Sequence, residues 1–321
     1  MSAVEAIPVA VVGAGNFGRQ HARVYASLPA AKLVAVVDRD AGRARQVAAE
    51  HGGAALSDTS ALPAEVRAAS LAVPTQHHAS VGLSLLARGV DLLVEKPIAP
   101  DIESASDLIE AAKRAGRVLQ VGHLERFNPA VEQAARAATL PLFFEIHRMS
   151  PFSPRSLDID VVLDLMIHDL DVVLKLVDAP VREVAASGLS VVSQSTDIAN
   201  ARIQFANGCV ANLTASRVST EKIRKLRFFQ PREYISLDYI QRRGVRIELD
   251  AAAGLRILQL ASGEGEPLRS QLESFLRCVR DRSQPRVTGR EALAALQLAL
   301  RIREAIKAHS QLVSKTLATL S

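Results

Sequence analysis

Three side chains have the type and placement to move a proton and polarise an oxygen. Lys96 directly follows the apolar run "VDLLVE" (90–95), so it stands where a buried strand emerges. Asp164 and His168 are four residues apart in "DVVLDLMIHDLD" (160–171), a spacing that puts both on one helix face. An imidazole titrates in the range that suits a base at neutral pH. A lysine ammonium is a poor base there but can donate a hydrogen bond to a developing alkoxide. Oxidation of a secondary alcohol needs both services, because a hydride leaves carbon while a proton leaves oxygen. His168 is therefore expected to accept the proton and Lys96 to polarise the oxygen, with the reverse division left open. Asp164 would orient the imidazole or bind a substrate hydroxyl. Asp169 and Asp171 add carboxylates nearby, but no third ligand stands at a recognisable spacing, so no metal is expected.

A hydride needs an acceptor. "VAVVGAGNFG" (9–18) places Gly13, Gly15 and Gly18 between an apolar run and a helical pattern. Gly13 permits the tight turn, Gly15 lets a pyrophosphate approach, and Gly18 lets the helix pack close. The N–H groups around Asn16 and Phe17 are then free to hold phosphate oxygens. Asp38 ends the next apolar run, twenty residues beyond Gly18, where a carboxylate takes the ribose hydroxyls. That carboxylate favours NAD. Arg39, next to it, could pair with a 2′-phosphate, so NADP stays open.

The elements that would position these residues alternate regularly as far as residue 123. Apolar runs at 8–13, 32–38, 70–74, 91–96 and 117–122 read as buried parallel strands, with helical patterns at 16–28, 40–51, 78–88 and 101–115. This predicts an α/β Rossmann domain, a doubly wound parallel sheet, over 1–123. Residues 124–321 read as an α+β domain with an open, mostly antiparallel sheet. Its strands are expected at 142–149, 182–193, 197–206, 209–217, 222–230 and 233–240, and its helices at 129–138, 160–177 and in the two closing segments. An open sheet leaves a free face, which points to a homodimer or homotetramer. "GHLERFNP" (122–129) crosses between the domains, and His123, Arg126 and Asn128 are its candidate substrate contacts. His147 and Arg148 are lesser candidates. The basic run "EKIRKLRFFQPRE" (221–233) reads as a strand with solvated charges.

Composition narrows the class. The chain of 321 residues is 48% apolar and 23% charged, with net charge +5 and mixed signs, which gives no footprint for nucleic acid. No apolar run has the length of a membrane span, and the first residues lack a signal-type pattern. Two cysteines suit neither a disulfide framework nor zinc, so a cytoplasmic protein is expected.

Taken together, "GAGNFG", "VPTQHH" (73–78) and "VEKP" (94–97), with Asp164 and His168, resemble the Gfo/Idh/MocA oxidoreductases. The resemblance implies hydride transfer between NAD(P) and a sugar or cyclitol alcohol. It also implies that Pro74, Thr75 and His78 of "VPTQHH" line the cofactor, with Glu95 and Lys96 of "VEKP"; His77 is read as surface. Many members have a glycine pair before the Asp, whereas "SLDIDVVLD" (156–164) has none. "VGHLERFNPAV" (121–131), "DLMIHDLD" (164–171) and "QPREYISLDY" (230–239) look like the subgroup that oxidises the 3-hydroxyl of UDP-N-acetylglucosamine. This implies a nucleotide-sugar substrate and an amino-sugar pathway to lipid A or surface polysaccharide. Two rivals remain: a dehydrogenase of a free sugar or cyclitol, and a non-catalytic regulator that binds NAD and a sugar.

Overall fold

The structure is a computed structural model that describes residues 5–153, 159–250, 254–260 and 265–318. Part of the glycine-free stretch noted above, residues 156–158, lies outside the described residues. The chain forms two units, Met1–Phe127 with Gly265–Leu293, and Asn128–Glu264 with Ala294–Ser321.

In the first unit the order is β1 (Ile7–Val12), α1 (Asn16–Ser27), β2 (Ala31–Val37), α2 (Ala41–His51), β3 (Ala54–Leu56), β4 (Ala68–Leu71), α3 (His78–Ala87), β5 (Asp91–Glu95), α4 (Ile102–Arg114) and β6 (Leu119–Gly122). The strands form one parallel sheet in the order β3-β2-β1-β4-β5-β6. Chain order reverses between β1 and β4, and the crevice beyond the strand ends there is where such sheets bind ligands. The central strands are buried on both faces, which is why they read as unbroken apolar runs. Helix starts follow their caps: Asp40 accepts from Gly42 and Arg43 N–H, and Asp101 from Ser104 N–H.

The second unit holds α5 (Pro129–Ala137), β7 (Phe143–Met149), α6 (Ile167–Val177), β8 (Val181–Leu189), β9 (Ile198–Phe205), β10 (Val210–Ser216), β11 (Ile223–Gln230), β12 (Glu233–Asp238), β13 (Arg243–Asp250) and β14 (Gly254–Leu260). Its sheet runs β14-β13-β12-β11-β7-β10-β9-β8, with β7 and β10 parallel and the other neighbours antiparallel. Phe144, Ile146, Leu213, Leu226, Phe228 and Ile235 fill the buried face. The chain ends in α7 (Pro267–Asp281) and α8 (Gly289–Ala318). Among the described residues, no helix is long and apolar enough to cross a membrane.

The division differs from the sequence reading, which put everything after 123 in the second domain: residues 124–127 and Gly265–Leu293 belong to the first unit. Helix α7 joins the first unit, because its stripe of Leu268, Leu272, Phe275, Leu276 and Val279 packs into one core with Ile7, Val9 and Tyr25. Three strands were also missed: the short β3, and β13 and β14.

Candidate active site

The glycine loop is built as its spacing predicts. Gly13 has φ +98°, and a Cβ there would lie 2.5 Å from the Ala72 carbonyl oxygen. A Cβ on Gly18 would lie 1.7 Å from the Gly13 carbonyl oxygen, so the start of α1 presses on the loop. Over Gly15 the space is open, with nothing within 4 Å of a Cβ. Gly15 is the N-cap of α1, whose first turn has no acidic side chain to occupy the N–H groups. A cavity of about 490 Å³ opens above it, lined by Gly13, Gly15, Asn16, Phe17, Asp38, Arg39 and Pro74 among others. An open glycine, a positive helix end and a carboxylate at the far wall fit a dinucleotide.

Asp38 has two backbone partners: Ala14 N–H donates to Oδ2 at 2.7 Å and Asp40 N–H to Oδ1 at 2.8 Å. Each carboxylate oxygen keeps a further lone pair for a ribose hydroxyl. Beside it, Arg39 Nη2 lies 3.3 Å from His77 Nε2. His77, read from sequence as surface, lines the cavity, as do Arg43, Ser57, Asp58 and Thr59. The last three follow β3, which pairs with β2, so the missed strand hid them.

Other expected cofactor contacts lie elsewhere. His78 is buried, with Nδ1 2.9 Å from the Pro97 oxygen and Nε2 2.9 Å from the Val73 oxygen. Burial holds its pKa below the ordinary value, partly offset by those carbonyls. A short turn at Thr75–His77 precedes α3 and leaves His77, not His78, at the cavity. Thr75, Glu95 and Lys96 are likewise outside that lining. Lys96 is half-buried just past β5. Glu95 is buried, and His21 Nε2–H of α1 donates to its Oε1 at 3.1 Å. Burial pushes the Glu95 pKa up, but His21, the Lys96 charge and the Lys96 N–H outweigh it and hold the carboxyl below its ordinary value.

The three substrate candidates of "GHLERFNP" are all buried. Arg126 donates to the Arg286 oxygen at 3.2 Å and to Glu291 Oε1 at 3.1 Å. Asn128 caps α5 through the Ala130 N–H at 3.1 Å and donates to the Tyr239 oxygen at 3.4 Å. Both polar groups thus have partners within the protein. His123 is 1% exposed, and burial together with the charges of Lys96 and Arg126 takes its pKa down to about 3.

In the second unit, Val162–Met166 is a π-helical turn that runs into α6, a distortion frequent at functional sites. Residues 162, 163, 166, 167, 169 and 170 are buried, whereas Asp164, Leu165 and His168 are half-exposed. The two polar side chains thus share the open stripe, as their spacing predicts. Behind them, Asp169 receives Arg148 in a bidentate pair at 2.6 and 2.8 Å, and Arg148 stacks on Tyr239 with 5.3 Å to the ring centroid. Arg148 is therefore a buried support of this helix.

Residues 7–123 match the family described as "Oxidoreductase family, NAD-binding Rossmann fold", and residues 142–230 match the GFO/IDH/MocA C-terminal domain. The chain belongs to the Gfo/Idh/MocA oxidoreductase family. NAD is the cofactor of that fold, and the family members it resembles are dehydrogenases of sugar and cyclitol hydroxyls. A UDP-N-acetylglucosamine 3-dehydrogenase of Acidithiobacillus ferrooxidans is 39% identical over 94% of this chain and 97% of its own. A solved structure of the UDP-N-acetylglucosamine 3-dehydrogenase GnnA from that organism superposes with a TM-score of 0.90, at 36% identity, over 95% of this chain and 99% of its own. An inositol 2-dehydrogenase of Rubrobacter xylanophilus is 34% identical over 58% of this chain and 56% of its own.

Proposed function

We propose that this protein oxidises the 3-hydroxyl of UDP-N-acetylglucosamine, or a related nucleotide sugar, to the 3-ketone. What supports this substrate is the extent of the likeness: 39% identity runs through 94% of the chain, while the inositol 2-dehydrogenase of Rubrobacter xylanophilus aligns over 58%. That relative keeps a free cyclitol as the second reading. NAD, when bound, accepts the hydride. The N–H groups at the start of α1 hold its phosphates, and Asp38 holds its ribose.

The remaining work falls to three side chains. His168 takes the proton of the 3-hydroxyl at an imidazole nitrogen. Lys96 donates a hydrogen bond to the same oxygen as charge develops on it. Asp164, on the same stripe as His168, orients the imidazole or binds a neighbouring hydroxyl. A 3-keto sugar is a substrate for amination, which fits an amino-sugar route to lipid A or surface polysaccharide in the cytoplasm.

We further propose a homo-oligomer built on the open sheet face. Phe143, Phe229, Tyr234, Ile247 and Ile257 are register partners in a row across β7, β11, β12, β13 and β14. Phe229 and Ile257 are exposed. The test of function is nicotinamide reduction by the purified protein with NAD, UDP-N-acetylglucosamine and a ketone trap. Signal lost in His168→Ala supports the reading; signal with inositol alone replaces it with the second.

A further inference from the structure

We propose that His21 and His78 are positioning residues for Lys96: two buried imidazoles that hold its neighbours, Glu95 and Pro97, and so fix where the ammonium stands. The inference rests on Lys96 being a catalytic group, as read above. A lysine side chain is long and freely rotating. Its aim depends on how firmly the backbone on either side is held.

On one side the hold is His21. It projects from α1, the helix that starts at the glycine loop, and is 0% exposed. Its Nε2–H donates to Glu95 Oε1 at 3.1 Å, while its Nδ1 meets no hydrogen-bond partner among the described residues. A buried nitrogen without a partner costs stability, so packing alone would favour an apolar residue here. What the imidazole supplies and an apolar residue would not is the hydrogen bond from its other nitrogen. Glu95 is confined as well by Gly122, its partner across the sheet, where a Cβ would lie 2.6 Å from Oε1. Its Oε2 accepts the Lys96 N–H at 3.3 Å, and its charge attracts the Lys96 ammonium.

On the other side the hold is His78. It faces the Pro97 oxygen and the Val73 oxygen, each at 2.9 Å. Carbonyls only accept, so either ring nitrogen donates when it carries the proton. Val73 lines the cofactor cavity. His78 thus sits between the cofactor loop after β4 and the lysine loop after β5, and its one N–H holds the Pro97 oxygen in the Nδ1–H tautomer. His21 ties the cofactor helix to the same loop.

The test uses His21→Leu and His78→Leu, which remove the donors, and His21→Gln and His78→Asn, which keep an N–H near Nε2 and Nδ1. Three readouts are needed: thermal unfolding, kcat and KM with UDP-N-acetylglucosamine and NAD, and the rate at which cyanate carbamylates Lys96 relative to Lys32 and Lys113, mapped by mass spectrometry. The leucine variants should melt cooperatively, lose about tenfold or more in kcat with KM for NAD changed less than about threefold, and shift the relative rate at Lys96. The amide variants should recover most of kcat and the parental rate at Lys96. Leucine variants with parental kcat and parental Lys96 reactivity would overturn the proposal, as would amide variants no better than leucine. Where leucine variants fail to fold, the amide variants decide alone: parental reactivity at Lys96 supports the proposal, and altered reactivity overturns it. If the parent protein oxidises no nucleotide sugar, the functional reading fails on its own, and Lys96 reactivity still tests the histidines.

Discussion

The Asp38 carboxylate accepts a hydrogen bond of 2.7 Å from the backbone N–H of Ala14, tying the end of β2 to the glycine loop. A residue read for its grip on a ribose therefore also sets the shape of the phosphate loop. Asp38→Ala should weaken NADH binding by more than a lost ribose contact alone, on the order of a hundredfold, since it frees an N–H in the loop as well. With Arg39 and Arg43 left at the cavity wall, the same variant should gain in relative affinity for NADPH. Fluorescence titration with both cofactors checks this. Equal losses for both would mean that Asp38 acts on the loop and not on the ribose.

Arg148 and Asp169 are 2% and 1% exposed, and each is the other's bidentate partner. Removing Arg148 takes from the buried Asp169 carboxylate its bidentate partner, so Arg148→Leu should cost about 3–5 kcal/mol in chemical denaturation. Arg148→Lys should recover only part, because an ammonium neither matches the carboxylate fork nor stacks on Tyr239 as a guanidinium does. Asp169 follows His168 in the chain, so activity should fall with stability in both variants.

How far the sequence carried depended on what each residue's neighbours are. The central strands were legible because burial on both faces leaves an apolar run, as in "PVAVVG". The short β3, whose Ala54 and Ala55 are exposed, leaves no such mark. β13 alternates in plain view, but its apolar Val245, Ile247 and Leu249 face outward, while Arg246 and Glu248 pair with each other and with Glu233 and Arg256. Helix α7 was legible as an amphipathic helix, but periodicity says nothing of which core receives its stripe. Asp164 and His168 stood out through the family resemblance, and their i, i+4 spacing accounts for the stripe they share. For Arg126 and Asn128 the sequence did not show the partners the fold gives them, since a polar cluster at a junction looks alike whether or not it caps a helix.

Stability should depend on His123 over a defined pH window. In the folded chain its pKa is down to about 3, because burial and the charges of Lys96 and Arg126 disfavour the imidazolium, against weaker pull from Glu95 and Glu291. Unfolded, it titrates near its ordinary value of 6.5. As pH falls between those values the unfolded chain binds the proton and the folded chain does not. Stability is therefore whole above the upper value and declines by about 1.4 kcal/mol per pH unit until the lower one. Glu95 and Glu291, both held below their ordinary values, push the same way in acid. The contribution of His123 is thus the difference from His123→Gln, measured by denaturant titration at about pH 7.5 and about pH 5. Equal slopes in the two proteins would remove His123 from the account.

The apolar row on the open sheet face makes the last prediction. Leu255 and Ile257 are 67% and 61% exposed on β14, while the opposite face of β13 and β14 carries the Arg246, Glu248 and Arg256 ion pairs. A sheet edge with its apolar side outward and its charged side inward is the reverse of what solvent alone selects. Cross-strand ring contacts extend the row inward, with Phe229 and Tyr234 centroids 4.9 Å apart and Phe143 and Phe229 5.9 Å apart. A second copy of this face would bury the row. Ile257→Glu and Phe229→Glu should each dissociate the assembly in sedimentation velocity while leaving the melting of the first unit in place. An unchanged sedimentation coefficient in both variants would move the interface elsewhere. A parent protein that sediments as a monomer at micromolar concentration would remove the need for one.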